Sequence, residues 1–357
     1  MNFSIKNKLK LLQISKRLLS STLGLLLIQF VLNCFAHVSP KNTDKCEKIG
    51  GIPGPEDMAL DRENGILYVS SHERRIEGKT GEIFMVNLNE PILRTKKAIA
   101  KYPKRFRPHG IHLVKVNGKL KLYAISHKDL DNDKHSIEVF SVDKNNLKHE
   151  STLEDAALES PNDLFVLPDG RIFVSNDHPK GSYFKKLMID VFRIRSSKIS
   201  YFDGSAWTLL LPQTVLGNGI LITKKDNKEI LYWASTIDEK VMQFEIINQK
   251  NSPPKLKLIK EIDINSGADN LEEEESGTIL VGAHKSLFRF LRHSKNGKVT
   301  SPSQIFRFDY DGNLEEIFSS DGEEISASST GISYKGKLII GQVFEPFLLS
   351  CPLKQVN

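Results

Sequence analysis

Cysteine is scarce in this sequence, with three residues in 357. Cys34 lies in an apolar N-terminal stretch, so the rest of the chain can form one disulfide at most, Cys46 to Cys351; a pair of buried thiols is the alternative. Excess charge is lacking as well. Most of the formal net charge of +6 sits in residues 1–36, which carry Lys6, Lys8, Lys10, Lys16, Arg17 and no acid, leaving 45 basic against 44 acidic residues elsewhere. A near-neutral body offers no electrostatic handle for nucleic acid, and none is expected as a partner; KYPKRFR at 101–107 reads as a solvated basic loop. No serine stands in a G-x-S-x-G setting, which argues against a covalent α/β-hydrolase route. Disorder is excluded by a hydrophobic content of 39%, ample for a large core.

The basic start runs into LLSSTLGLLLIQFVLNCFA, which has the order of a secretory signal: positive region, apolar core, then small residues up to Ala36. Export is expected, to a secreted, periplasmic or membrane-anchored location. Three modes stay open: a cleaved signal, lipidation at Cys34 because VLNC resembles a lipobox, or a retained segment that nearly spans a bilayer and ties the protein to a membrane. Residues 1–36 are read as this targeting segment and 37–357 as one domain.

A strand pattern fills the rest of the chain. A small polar cluster, an alternating strand, a turn and a more continuously apolar strand recur as PEDMALDRENGILYVSS, PHGIHLVKVNGKLKLYAISH, PNDLFVLPDGRIFVSND, GNGILITKKDNKEILYWAST, ADNLEEEESGTILVGAH and STGISYKGKLIIGQVF. Their leading polar residues are Glu56, His109, Asn162, Asn218, Asp269 and Thr330, a period of about 50–60 residues. The turns ENG, VNGK, PDGR, ESG and YKGK supply residues that tolerate positive φ between strands, and no comparable helical period interrupts them. Six such copies predict an all-β fold, a six-bladed β-propeller. Its innermost strands would run the same way along a central channel, bringing the leading residues together at one end. Cys46 precedes the first copy and Cys351 follows the last, so a bridge would staple the closed ring.

The converging groups are carboxylates and carboxamides, hard oxygen donors that suit calcium better than zinc. Glu56, Asp57, Asp163 and Asp269, buried together without a cation, would repel one another. Adjacent residues of an extended strand point to opposite faces, so Glu56 and Asp57 would serve different places, as would Asn162 and Asp163. Two Ca2+ ions are therefore expected, one at the channel mouth and one deeper. Asp269 and Asn270 would need a local bend to reach one ion together. The run LEEEE at 271–275 reads as a solvated edge.

These motifs resemble the serum paraoxonases and arylesterases. EDM, PHGI, NDHP and VGAH stand in that family's order, and STGISYKGKLIIGQVF resembles its last blade. The resemblance runs from the N-terminal hydrophobic segment through Cys46 to Cys351 and implies a six-bladed, calcium-dependent propeller hydrolase. It implies that Glu56, Asn162, Asn218, Asp269 and Asn270 hold a catalytic calcium, and that Asp57, Asp163 and the carbonyl of Ile111 hold a structural one. His109 and His127 then form the catalytic dyad, and His284 lines the pocket. Three departures qualify this. The loop HERRIEGKT at 72–80 is shorter than its family counterpart and charged, so substrate preference does not carry over. Ala283 replaces a free cysteine of mammalian members. KGSYFKKLMIDVFR is more basic than its lipid-facing counterpart, so lipoprotein association is not implied.

The resulting expectation is a hydrolase of lactones and aryl esters with a small-molecule substrate, in which the metal polarises the carbonyl and the His109–His127 pair activates water. A sugar lactonase of a related propeller family and a non-catalytic exported scaffold are the alternatives.

Overall fold

The computed structural model describes residues 36–129, 134–144 and 146–353. The expected targeting segment, Ala36 apart, lies outside the described residues; among those described, no helix is long and apolar enough to cross a membrane. Six sheets, antiparallel except where Ile99–Ala100 pairs parallel with Asn146–Leu153, are arranged as the blades of a propeller. Their inner strands are Pro55–Asp61, Pro108–Val116, Pro161–Val166, Gly217–Lys225, Gly267–Glu273 and Ser328–Tyr334, blades 1 to 6 in that order, each in contact with the next and the last with the first.

Blade 2 has a fifth strand, and blade 6 closes the ring by accepting Glu47–Gly50 from the beginning of the described chain. That strand pairs antiparallel with Phe347–Pro352, Glu47 opposite Ser350 and Gly50 opposite Phe347. Beside the seam the Cys46–Cys351 disulfide joins residues 305 positions apart, as expected from the two cysteines left outside the N-terminal stretch.

Alternation along the strands sends apolar side chains to both faces of each blade, and the core is therefore divided among the blade interfaces. One cluster joins Leu67 and Val69 of blade 1 to Ile332 and Ile339 of blade 6. Another sets Phe173 and Ile199 of blade 3 against Leu231 and Trp233 of blade 4. Burying a side chain of this size contributes about 1.5–3 kcal/mol, so each interface is a substantial part of the stability.

Two elements depart from the all-strand reading. Helices α1 (Tyr183–Val191) and α2 (Leu287–Lys295) interrupt blades 3 and 5, each capped by a serine, Ser182 and Ser286, whose side chain accepts from a backbone N–H three residues on. Both are nine residues long, too short for a helical period to stand out against the strand repeat. The LEEEE run is also not a simple solvated edge, because Glu274 is buried and paired with Arg307.

Candidate active site at the channel mouth

Every inner strand carries a β-bulge at the same point, and these bulges build the site. Register breaks fall between Pro55 and Asp57, Pro108 and Ile111, Pro161 and Asp163, Gly217 and Ile220, Ala268 and Leu271, and Ser328 and Thr330. Each inserts one extra residue into the inner strand, which bends the backbone and re-aims side chains. The bulged residues are Glu56, His109 with Gly110, Asn162, Asn218 with Gly219, Asp269 with Asn270, and Ser329. The bend that Asp269 and Asn270 needed is thus present. In blade 6 the sequence pointed to Thr330, whereas Ser329 occupies the bulge and its hydroxyl donates to the Glu56 carbonyl.

Glycines make room for these bends. A Cβ on Gly110 would stand 2.7 Å from the Asn162 carbonyl oxygen and from the Asp163 Cα, and one on Gly219 would stand 2.6 Å from the Asp269 carbonyl oxygen. Only glycine allows neighbouring inner strands to approach so closely.

Asp57 and Asp163 use one device two blades apart. Asp57 accepts from the N–H of Ile111 in the next blade at 2.6 Å and from Met58 at 2.8 Å; Asp163 accepts from Ile220 at 2.8 Å and Leu164 at 2.7 Å. Each carboxylate thereby ties its blade to its neighbour's inner strand. Burial pushes both carboxyls well above the usual range, helped by the charges of Asp163 and Glu56 on Asp57 and of Glu56 and Asp269 on Asp163; the backbone N–H groups pull the other way. Burial also raises Asp269, against the pull of His284, whose Nε2 lies 2.6 Å from its Oδ2.

Glu56 behaves differently. Burial would raise it, but His109 and Arg74 outweigh burial and hold it down at about 2, with a further hydrogen bond from Asn270 Nδ2 at 3.0 Å. His109 Nε2 lies 3.5 Å from Glu56 Oε1, and Arg74 Nη2 lies 3.7 Å from Oε2. Arg74 belongs to the 72–80 loop and its Nη1 is held by the carbonyls of Gly54, His72 and Val343. Sequence reasoning marked the loop but did not single out Arg74 within it.

The histidines form a chain rather than a pair. His109 Nδ1 is 2.8 Å from His127 Nε2, and His127 Nδ1 is 2.9 Å from Nδ1 of His135, which the sequence had not singled out. His127 and His135 are directly opposed in adjacent antiparallel strands, a signal that correct hairpin pairing would have exposed. Burial lowers His127 well below the usual histidine range, with His109, His135, Arg74 and His72 adding to the effect.

The donor set can be tested against a metal. Among the described residues no three His, Cys, Asp or Glu side chains form a metal-binding group by themselves, so carboxamides would have to contribute. They are available: Glu56 Oε2, Asn162 Oδ1, Asn218 Oδ1 and Asn270 Oδ1 are all buried without a hydrogen-bond partner. Leaving one such oxygen unmet costs about 1–3 kcal/mol, so four at one channel end fit a hard cation as their missing partner.

The chain is thus a closed six-bladed ring that gathers unmet oxygens and a histidine chain at one end of its inner strands. The arylesterase family model matches residues 65–353, and the chain belongs to that family, whose activity is carboxylic ester hydrolysis. Serum paraoxonase/arylesterase 2 of Gallus gallus is 25% identical over 334 residues, covering 88% of this chain and 90% of that protein. Mechanosensory abnormality protein 6 of Caenorhabditis elegans is 27% identical over 262 residues, 71% of this chain and 67% of its own length. In fold the chain is similar to a gluconolactonase from Xanthomonas campestris, with a TM-score of 0.53 at 14% identity, covering 88% of this chain and 92% of that one. The paraoxonase family is generally calcium-dependent.

Proposed function

We propose that this chain is a calcium-dependent hydrolase of lactones and aryl esters that works at the bulged end of the channel. Four buried oxygens without hydrogen-bond partners, beside a hydrogen-bonded histidine chain, carry this reading. Glu56, Asn162, Asn218, Asp269 and Asn270 would hold one ion, and Asp57, Asp163 and the Ile111 carbonyl a second. A calcium bound by the first set supplies a Lewis acid for the scissile carbonyl and its developing oxyanion.

The remaining work falls to side chains. His109 presents Nε2 toward Glu56 and takes the proton of the attacking water, while its Nδ1 is held by His127. His284 fixes Asp269 and forms part of the pocket wall. Arg74 keeps a fixed positive charge beside Glu56. The Cys46–Cys351 bridge suits an oxidising compartment, so export behind a targeting segment at 1–36, with residues 37–357 as the propeller, belongs to the same proposal.

The test is hydrolysis of aliphatic lactones, aldonolactones and phenyl acetate by the purified protein, with and without chelator. His109→Gln removes the base and leaves the oxygen donors in place, so turnover should fall by about 10² to 10⁴-fold with the calcium-dependent melt near wild type. A folded, calcium-replete His109→Gln/His127→Gln variant that hydrolyses its best lactone at the wild-type rate would refute the assignment.

A further inference from the structure

His135 lies beyond the pair that the proposed reaction uses, yet it is built into the same chain. It is buried, on strand Lys134–Asp143, with its Cα directly across from that of His127 on strand Lys119–Asp129. The two rings stand nearly perpendicular, at 88°, with centroids 4.9 Å apart, an arrangement that aims ring nitrogens at each other and does not stack faces. Two contacts then run in series, His109 Nδ1 to His127 Nε2 at 2.8 Å and His127 Nδ1 to His135 Nδ1 at 2.9 Å.

A neutral imidazole carries one N–H, so each contact is a hydrogen bond only if one ring donates and the other accepts. His127 uses both nitrogens in the chain and must donate with one and accept with the other. Only two proton patterns satisfy both contacts. In one, His135 donates from Nδ1 to His127, His127 donates from Nε2 to His109, and His109 carries its proton on Nε2, the atom facing Glu56. A base is then absent from the site. In the other, His109 donates from Nδ1 to His127, His127 donates from Nδ1 to His135, and the lone pair of His109 Nε2 is open to the site. Which pattern holds depends on whether His135 Nδ1 accepts or donates.

We propose that His135 is a positioning residue: by accepting at Nδ1 from His127, it sets the tautomer of His127 and leaves His109 Nε2 free as the base. The link to catalysis rests on His109 acting as proposed above, whereas the tautomer assignment stands without it. The role parallels the way an orienting partner of a catalytic histidine fixes which nitrogen carries the proton.

Two variants of His135 and one spectrum test this in the full chain. In His135→Asn the amide oxygen takes about the place of Nδ1 and can accept; His135→Leu offers no acceptor. Nitrogen-15-edited NMR of the ring nitrogens should show His127 protonated at Nδ1 in the wild type and in His135→Asn, and a shift toward Nε2–H in His135→Leu. With phenyl acetate or an aliphatic lactone, His135→Leu should lower kcat by roughly 10- to 100-fold with little change in KM, and His135→Asn should recover most of the loss. A merely structural role predicts equal losses in both variants and an unchanged tautomer. Equal losses, or a wild-type His127 protonated at Nε2, would overturn the proposal, and the wild-type spectrum decides even if His135→Leu does not fold. Absence of hydrolysis by the wild type with His127 protonated at Nδ1 would instead remove the esterase reading and leave the tautomer assignment intact.

Discussion

The two ends of the channel are built from the same strands yet treat their acids in opposite ways. At the far end Glu274 takes two bonds from Arg307, at 2.5 and 2.9 Å, and one from Thr278 at 2.7 Å. Burial would raise Glu274, but these donors outweigh it and its carboxyl is lowered. Nearby, Arg62 bonds the carbonyls of Glu273 and Ser333 and lies 3.7 Å from Glu272, which burial nevertheless pushes up to about 7. The far end therefore draws its cations from the chain. At the site end one guanidinium, Arg74, faces several acids, and four oxygens are left without hydrogen-bond partners. Open volume points the wrong way: a groove of about 730 Å³ lies at the far end, lined by Arg62, Glu274, Arg307 and Tyr334 among others. Unmet oxygens, not space, support the site proposed above.

Breaking the far end should have the largest effect on stability. Arg307→Met strands buried Glu274 and should cost about 3 kcal/mol or more, by the same amount in calcium and in chelator. A loss that calcium repairs would mean that the two ends are not independent. The site end predicts the converse. Calcium at 100 times its dissociation constant should stabilise chelated protein by about 2.7 kcal/mol, and Asp269→Asn should weaken that gain. Identical thermal melts with calcium and chelator, in protein shown to be metal-free, would show that the oxygens are not a metal site.

An effect confined to high pH comes from His178, beside the site end, which is satisfied within the chain. Its Nδ1 lies 3.0 Å from Asp177 and its Nε2 lies 2.8 Å from Asp190. Burial opposes its charge, but the two carboxylates outweigh burial and raise it to about 9. A folded-state value above the unfolded one stabilises fully below about pH 6.5, and that contribution is lost as pH rises through about 9. The amount should be on the order of 3 kcal/mol. Denaturant melts between pH 6 and 10 should show the decline, and His178→Gln should remove this component of it; a wild-type slope in the variant would assign it elsewhere.

Much of this was legible in the sequence. The strand-and-turn period revealed the ring, and the phase of Glu56, His109, Asn162, Asn218 and Asp269 within it revealed the channel mouth. Cys46 and Cys351 were marked by their positions outside the repeats. The bulges were not visible as such, because an extra residue in a strand is defined only against its partner, and pairing is not written in either strand alone. For the same reason Thr330 stood in for Ser329 and His135 escaped notice until its register with His127 was known. Glu274 was hidden for a different reason: a charged run looks solvated until a neighbouring blade covers it, and in the 72–80 loop nothing tells Arg74 from the charges around it.

The seam at Glu47–Gly50 has a consequence in time. Its partner Phe347–Pro352 lies about 300 residues downstream, so during synthesis at about 5–20 residues per second the first strand waits roughly 15 to 60 s for the segment it must pair with. Through that interval the arc of blades exposes an apolar blade face at each end, and Glu47–Gly50 is a strand without its partner, able to pair wrongly. The ring is therefore a late event in the life of each molecule, and both faces and the waiting strand stay uncovered until the last blade arrives.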